Sequence, residues 1–180
     1  MTQRRRHHDA GFTLVELVAT IVILAVVSAA SSRLLLDASE NFADASEHAL
    51  LHSESSIALD RLVRELRAID NEDVSGERVP IIDSIAASAI TWESTSSLTL
   101  SGTDLQLTLS GGTTRTILGN VTAFTLEAFD ESNAALSLPR TGDDCHAVRR
   151  IRVTVTTSRN GVTDTMSGKV FIRSMQLPTG

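Results

Sequence analysis

Cysteine and aromatic residues are scarce in this chain of 180 residues, and each shortage excludes a class of structure. With Cys145 as the only cysteine, no disulfide can form within the chain, and we expect the thiol to be buried. One tryptophan, five phenylalanines and no tyrosine offer no visible stacking platform for bases or sugars. Enzyme motifs are missing as well, since the chain has no GxSxG, Walker loop or GxGxxG. The sequence therefore predicts a protein that is not an enzyme and that has no cofactor.

Basic residues are in the minority, because 16 lysines and arginines stand against 22 aspartates and glutamates, for a formal net charge of −6. Three of the basic residues, Arg4, Arg5 and Arg6, lie together near the N-terminus, so the rest of the chain is still more acidic. Proteins bind nucleic acids mainly by neutralising phosphates with lysine and arginine. Nucleic acid is therefore not an expected partner.

Helix-breaking residues are absent from a long stretch, since neither proline nor glycine occurs between Phe12 and Asn71. In its first part, residues 12–32, nearly every residue is apolar or small and only Glu16 is charged, and about 20 such residues suffice to span a membrane as a helix. In the second part, residues 33–70, apolar residues recur at helical spacing: Leu59, Leu62, Val63, Leu66 and Ile69. We predict one continuous helix with a membrane half and an amphipathic half, the latter packed on a sheet.

A carboxylate inside a membrane helix is costly to bury, so Glu16 indicates a functional site that needs a partner. The segment Gly11-Phe12-Thr13-Leu14-Val15-Glu16, with the apolar run behind it, resembles the class III signal of type IV pilins and type II secretion pseudopilins. The resemblance implies that residues 1–11 form a leader, that prepilin peptidase cleaves after Gly11, and that Phe12 becomes an N-methylated mature N-terminus. It also implies three partners: the peptidase/methyltransferase, other pilin or pseudopilin subunits, and the bacterial inner membrane.

The charges around the apolar run predict how the chain inserts and assembles. After cleavage, the ammonium group of Phe12 lies one helical turn from Glu16, and a neighbouring subunit shifted along the axis can bring its own ammonium to this carboxylate. Such a pair offsets much of the cost of burying either charge alone. We therefore predict that Glu16 promotes assembly with a defined stagger. Positive charge beside the first apolar segment stays in the cytoplasm, so Arg4, Arg5 and Arg6 predict a C-terminal domain that is periplasmic or extracellular.

Two other interpretations of the N-terminus remain open. Ser28-Ala29-Ala30 has the small residues of a secretory cleavage site, which would make the chain an exported soluble binding protein or enzyme cut near Ala30. A single-pass anchored domain that never polymerises would carry the same apolar run. A mature N-terminus at Phe12 excludes the first alternative, and co-purification with filaments excludes the second.

Acidic residues follow the apolar run at intervals of three, four and three: Asp37, Glu40, Asp44 and Glu47. This spacing places the four acids on one helix face, and most such rows are simply solvated. Arg61, Arg64 and Arg67 lie further along the same helix. A neighbour displaced axially by about 25–40 Å can set its acids beside these arginines, which predicts an intersubunit charge contact.

The hydrophobic period changes to two beyond Ile90, which predicts strands, and Asn160-Gly161 predicts a two-residue hairpin. Residues 71–180 are therefore expected to hold a linker, over residues 71–79, and an antiparallel sheet domain with one long polar loop, over residues 130–147. The predicted fold class is α+β, with the long helix packed on the sheet. This plan matches the pilin-like fold. The sheet half also resembles the J-type minor pseudopilins in Phe124-Thr125-Leu126, Ile151-Arg152-Val153-Thr154-Val155 and Val170-Phe171-Ile172-Arg173, which implies a subunit at or near a filament tip.

Two groups of side chains have the residue types of metal ligands. His48 and His52 are one helical turn apart, but no third ligand or HExxH pattern accompanies them. Asp143-Asp144-Cys145-His146 concentrates ligand-type side chains in the polar loop, although consecutive residues rarely converge on one ion and no Asp-x-Asp-x-Asp-Gly pattern is present. We expect exposed histidines and no metal site.

Overall fold

The computed structural model describes residues 13–172, which fold as one long helix followed by short and long strands. The helix, α1, covers Leu14–Arg67 and is continuous, as expected from a stretch without proline or glycine. The chain divides into two units, residues 1–45 and 46–180. The strands are β1 (Asn71–Val74), β2 (Glu77–Pro80), β3 (Ile82–Ala86), β4 (Ala89–Trp92), β5 (Ser96–Ser101), β6 (Asp104–Thr108), β7 (Thr114–Leu118), β8 (Val121–Phe129), β9 (Ala135–Leu136), β10 (Arg140–Thr141), β11 (Arg150–Arg159) and β12 (Val162–Phe171).

The described part of the first unit, residues 13–45, is helical from Leu14 onward, and its apolar side chains are exposed. Leu14, Val15, Ile23 and Leu24, for example, each keep more than 60% of their surface accessible. By length and composition the helix is suited to crossing a membrane. Lipid is the environment that would remove this much apolar surface from water.

The second unit contains three antiparallel sheets and the C-terminal part of α1. One has two strands, β1-β2; one has six, in the order β10-β3-β4-β5-β6-β7; one has four, in the order β12-β11-β8-β9. The helix buries one stripe of side chains in this unit: Leu51, Ser55, Ala58, Leu59, Leu62 and Leu66. Helix and sheets share one apolar core, so the predicted α+β, pilin-like layout is confirmed.

Strand alternation follows the sequence pattern closely. Ile151, Val153 and Val155 are buried, while the intervening residues of β11 are partly exposed. At the β11–β12 hairpin, Asn160 and Gly161 have φ values of 53° and 84°, the left-handed conformations that a two-residue turn requires. These local signals therefore predicted β11 and β12, which form the longest strand pair within residues 13–172.

Two segments differ from expectation. Residues 71–79, expected to be a linker, form most of the β1–β2 hairpin, which turns at Ser75-Gly76. The polar loop at residues 130–147 contains β9, β10 and a 3₁₀-helix at Gly142–Ala147. Both segments lack the alternating hydrophobicity that predicts strands. Their structure depends instead on long-range packing, which buries single apolar side chains such as Val79 and Cys145.

Two close contacts hold the helix against the four-stranded sheet. A Cβ added to Gly168 on β12 would lie 3.4 Å from side-chain atoms of both Leu59 and Val63, so this strand approaches the helix closely. On β11, the Thr157 hydroxyl lies 3.2 Å from that of Ser55 on the helix, and both residues are buried. A buried hydroxyl pair favours one register of helix on strand, because slippage would leave the buried Thr157 hydroxyl without this partner.

Candidate processing and assembly segment

The predicted cleavage and topology residues lie just before the structurally described part of the chain. Gly11, Phe12, Arg4, Arg5 and Arg6 are all outside residues 13–172, so their roles remain predictions. The described structure begins at Thr13, the residue before α1.

Glu16 closes a hydrogen-bonded box at the start of α1. Its Oε2 atom accepts from the Thr13 backbone N–H at 3.2 Å and from the Thr13 hydroxyl at 3.3 Å. In return, the Glu16 backbone N–H donates to the Thr13 hydroxyl oxygen at 3.3 Å. This reciprocal arrangement is a capping box, in which an N-terminal threonine and a glutamate three residues later satisfy backbone donors that the helix leaves unpaired.

The capping box gives Glu16 a second role beside the predicted pairing with an ammonium group. Because Oε2 lies 3.2 Å from the nitrogen of Thr13, the carboxylate is directed back toward the start of the helix, where a mature N-terminus at Phe12 would stand. Thr13 is a residue that our sequence analysis did not single out. Its signal was nevertheless present, since Thr13-Leu14-Val15-Glu16 has the T-x-x-E spacing of a capping box.

Two other polar side chains in the apolar part of α1 form hydrogen bonds within the helix. The Thr20 hydroxyl donates to the Glu16 carbonyl at 2.7 Å, and the Ser32 hydroxyl donates to the Ser28 carbonyl at 2.9 Å. Such bonds to the preceding turn allow serine and threonine to lie in lipid without an unsatisfied donor. Glu16 is thus the one charged group in residues 13–32.

The acidic row divides into exposed and paired members. Asp37, Glu40 and Asp44 are exposed, but Glu47 is half-buried and accepts a hydrogen bond from Arg159 of β11. Glu54 also contacts Arg159, at 3.4 Å, and the hydrogen bond to Glu47 is the main reason why the pKa of Arg159 is raised. Glu47 therefore has a partner in its own chain, and the intersubunit contact of the four acids stays a prediction.

The intersubunit contact was predicted to join these acids to arginines further along the helix. Of those arginines, Arg64 and Arg67 are exposed and Arg61 is partly exposed. These side chains are therefore accessible to a neighbouring subunit.

The residues considered as metal ligands do not converge. His48 is exposed, and His52 Nδ1 lies 3.3 Å from Asp164 Oδ2 on β12. Cys145 is fully buried, which confirms the expectation from sequence and raises the pKa of its thiol. Nowhere in residues 13–172 do three or more histidine, cysteine, aspartate or glutamate side chains form a possible metal cluster.

A helix with an apolar, unburied N-terminal part and a C-terminal part packed on antiparallel sheets is the α+β layout of pilin-like proteins. Residues 6–32 match the family model of the prokaryotic N-terminal methylation motif, the class III signal of type IV pilins. The motif supports a substrate of prepilin peptidase of the pilin or pseudopilin type. The search of curated proteins found no match.

Proposed function

We propose that the chain is a minor pilin or pseudopilin subunit that prepilin peptidase processes and that assembles into a type IV pilus or a type II secretion pseudopilus, at or near its tip. The observation that carries the proposal is the division of α1, whose N-terminal part, overlapping the methylation motif of residues 6–32, exposes an apolar surface long enough to span a membrane. Its C-terminal part buries a separate stripe in the sheet unit. One helix thus serves as both anchor and scaffold.

In this proposal, the leader of residues 1–11 keeps the N-terminus in the cytoplasm until cleavage, and the sheet unit faces the periplasm or the exterior. The freed and methylated Phe12 amine of one subunit meets Glu16 of another. Contacts of this kind are heterologous and do not close into a ring, so they extend a filament. The protein acts as a building block, and the processing chemistry at Gly11 and Phe12 is performed by other enzymes.

The position near the tip rests on the resemblance of the sheet half to J-type minor pseudopilins. The fold adds that the long strands β8, β11 and β12, which contain the first two resembling segments and the first two residues of the third, lie together in one sheet. The single buried cysteine also sets the chain apart from major pilins that close a C-terminal loop with two cysteines.

The intact mass of the protein purified from its own membrane tests the processing step. We expect a polypeptide that starts at Phe12 and carries one added methyl group. A start near Ser31 would instead identify a soluble exported protein. An unprocessed chain in cells with active prepilin peptidase would contradict the proposal.

The role of Glu16 in assembly can be separated from its role in the capping box. Glu16→Gln keeps a side-chain oxygen that can cap the helix, since glutamine also occurs at this position of capping boxes, but it removes the charge. We expect both Glu16→Gln and Glu16→Val to insert in the membrane and to be depleted from sheared filaments at least tenfold.

Glu72→Gln serves as the control, because it neutralises an exposed carboxylate on β1, outside both the apolar run and the acidic row, and should leave incorporation within about twofold of wild type. Rescue of assembly by Glu16→Gln would show that capping alone explains Glu16. Wild-type protein that is processed but never co-purifies with filaments would identify a non-polymerising anchored domain.

A further inference from the structure

The outer face of the four-stranded sheet, turned away from the core, concentrates positive charge in an acidic protein. Glu127, Arg152 and Lys169 are cross-strand neighbours in one row of the sheet. Arg150 lies in the next row, between Phe129 and Phe171. This cationic patch, defined as Arg150, Arg152 and Lys169, has three positive charges against the two nearby carboxylates of Glu127 and Asp130, whereas the whole chain has a net charge of −6.

The three cations are held at fixed positions. The Arg150 guanidinium donates to the backbone carbonyls of Asp130 and Glu131, each at 3.1 Å, and lies 5.2 Å from the Phe171 ring centroid. The pKa of the nearby Asp130 carboxyl is lowered, first by hydrogen bonds from Ser132 and from the Ala134 N–H and last by the charge of Arg150, so Asp130 offsets part of the positive charge. The side-chain hydrogen bonds of Arg150 go to backbone carbonyls rather than to a carboxylate.

Arg152 and Lys169 share the second phenylalanine. The Arg152 guanidinium carbon lies 5.1 Å and Lys169 Nζ 3.7 Å from the Phe129 ring centroid, and Arg152 Nη1 is 2.8 Å from Glu127 Oε2. The pKa of Lys169 is lowered, first by burial and then by the nearby charges of Arg152 and Arg150. A bound anion would reduce the repulsion between these positive charges, so the charges of the patch favour the binding of an anion.

Hydroxyl groups cover the rest of the same face. Thr156 and Thr165 bond to each other across the strands at 2.9 Å, and Thr163 donates to Ser158 at 3.2 Å. Strand spacing of about 4.8 Å makes this a regular array. The hydroxyl array consists of Thr125, Thr154, Thr156, Ser158, Thr163, Thr165 and Ser167.

The chemistry of this face selects among possible ligands. Protein interfaces usually depend on apolar or aromatic anchors, but here Phe129 is buried beneath two cations and the array offers only hydroxyls. The Phe129 ring, covered by these cations, also provides no stacking surface for bases. A hydrated polymer with carboxylates and many hydroxyl groups matches both parts of the face.

We propose that this face binds an acidic polysaccharide, with its carboxylates on the cationic patch and its sugar hydroxyls on the hydroxyl array. Carboxylates would form charge-assisted hydrogen bonds with the guanidinium and ammonium groups. The serine and threonine side chains both donate and accept, as sugar hydroxyls require. Polysaccharide binding is a further function of the subunit and does not depend on whether the subunit enters a filament.

The test measures binding of the full chain, kept in detergent micelles, to polygalacturonate, a linear polyuronate, at 50 mM salt. Lys169→Gln and the charge-balanced pair Arg152→Gln with Glu127→Gln should each weaken binding roughly fivefold or more, a loss typical of one or two charge contacts. Thr154→Val with Thr165→Val keeps every charge and should weaken binding without changing its salt dependence. Arg115→Gln on β7 removes an exposed arginine from the other large sheet and should have no effect.

Several results would overturn the proposal. These are absence of polygalacturonate binding by the wild type, equal binding of neutral dextran, or an equal loss of affinity in Arg115→Gln and Lys169→Gln. Tighter binding of duplex DNA than of the polyuronate would assign the face to nucleic acid instead. Circular dichroism of each variant separates loss of binding from loss of folding, and the exposed Lys169 makes that variant the one least expected to unfold.

Discussion

The buried hydroxyl pair between Ser55 and Thr157 makes a quantitative prediction about how the helix is held on the sheet. Ser55→Ala removes one partner and leaves the Thr157 hydroxyl in a site that is 0% exposed. An unsatisfied buried hydroxyl costs about 1–3 kcal/mol, which we expect as the loss in free energy of unfolding. Thr157→Val, a change of similar shape, should cost less, about 0.5–1.5 kcal/mol, because a helical serine can turn its hydroxyl to the carbonyl of the preceding turn.

The double variant decides whether the two hydroxyls interact. With both hydroxyls removed, no polar group is left unpaired, so the double variant should be more stable than the sum of the single changes predicts, by about 1–2 kcal/mol. Urea unfolding of the full chain in micelles measures this, and the emission of the sole tryptophan, the buried Trp92, reports on the sheet unit. Strict additivity of the two substitutions would refute the pairing and the register argument that rests on it.

Two further predictions concern packing in the same unit. Gly168→Ala should change the free energy of unfolding by less than about 1 kcal/mol, because the new Cβ would meet Leu59 and Val63 at ordinary contact distance. Gly168→Val should lower the free energy of unfolding by about 1–3 kcal/mol through overpacking, measured in the same urea experiment. Equal stability of the two variants would contradict the close approach of β12 to the helix. The Cys145 thiol is buried and its pKa is raised, so it should react with a maleimide at least 100-fold more slowly in the native protein than in denaturant at pH 7. Mass spectrometry measures the labelling. Rapid labelling of the native protein would contradict this prediction and show that the 3₁₀-helix opens readily.

The long helix and the major strands were predictable because their signals are local. The absence of proline and glycine between Phe12 and Asn71 predicts continuity, and the observed helix covers Leu14–Arg67. Alternation at Ile151, Val153 and Val155 reports directly which side chains are buried. The β1–β2 hairpin was missed because four-residue strands rich in charge carry no such alternation, although Ser75-Gly76 was a turn signal.

In the candidate sites, too, features formed by neighbouring residues could be predicted from sequence, and features formed by distant residues could not. The methylation motif, with Glu16, could be predicted from the sequence because its residues are contiguous. The capping box of Thr13 and Glu16 could have been predicted for the same reason. By contrast, no sequence pattern joins Glu47 to Arg159, 112 residues apart, so an acid expected to contact a neighbour was already paired.

By itself the sequence determined what each segment is suited to: an apolar anchor that follows a cleavage site, an amphipathic helix and a set of strands. Only the tertiary structure decided which side chains meet. Strand register placed Arg150, Arg152 and Lys169 on one face, and helix docking placed Ser55 against Thr157. Local patterns follow from backbone geometry over a few residues, whereas register is set by the packing of the whole core, which single segments do not encode.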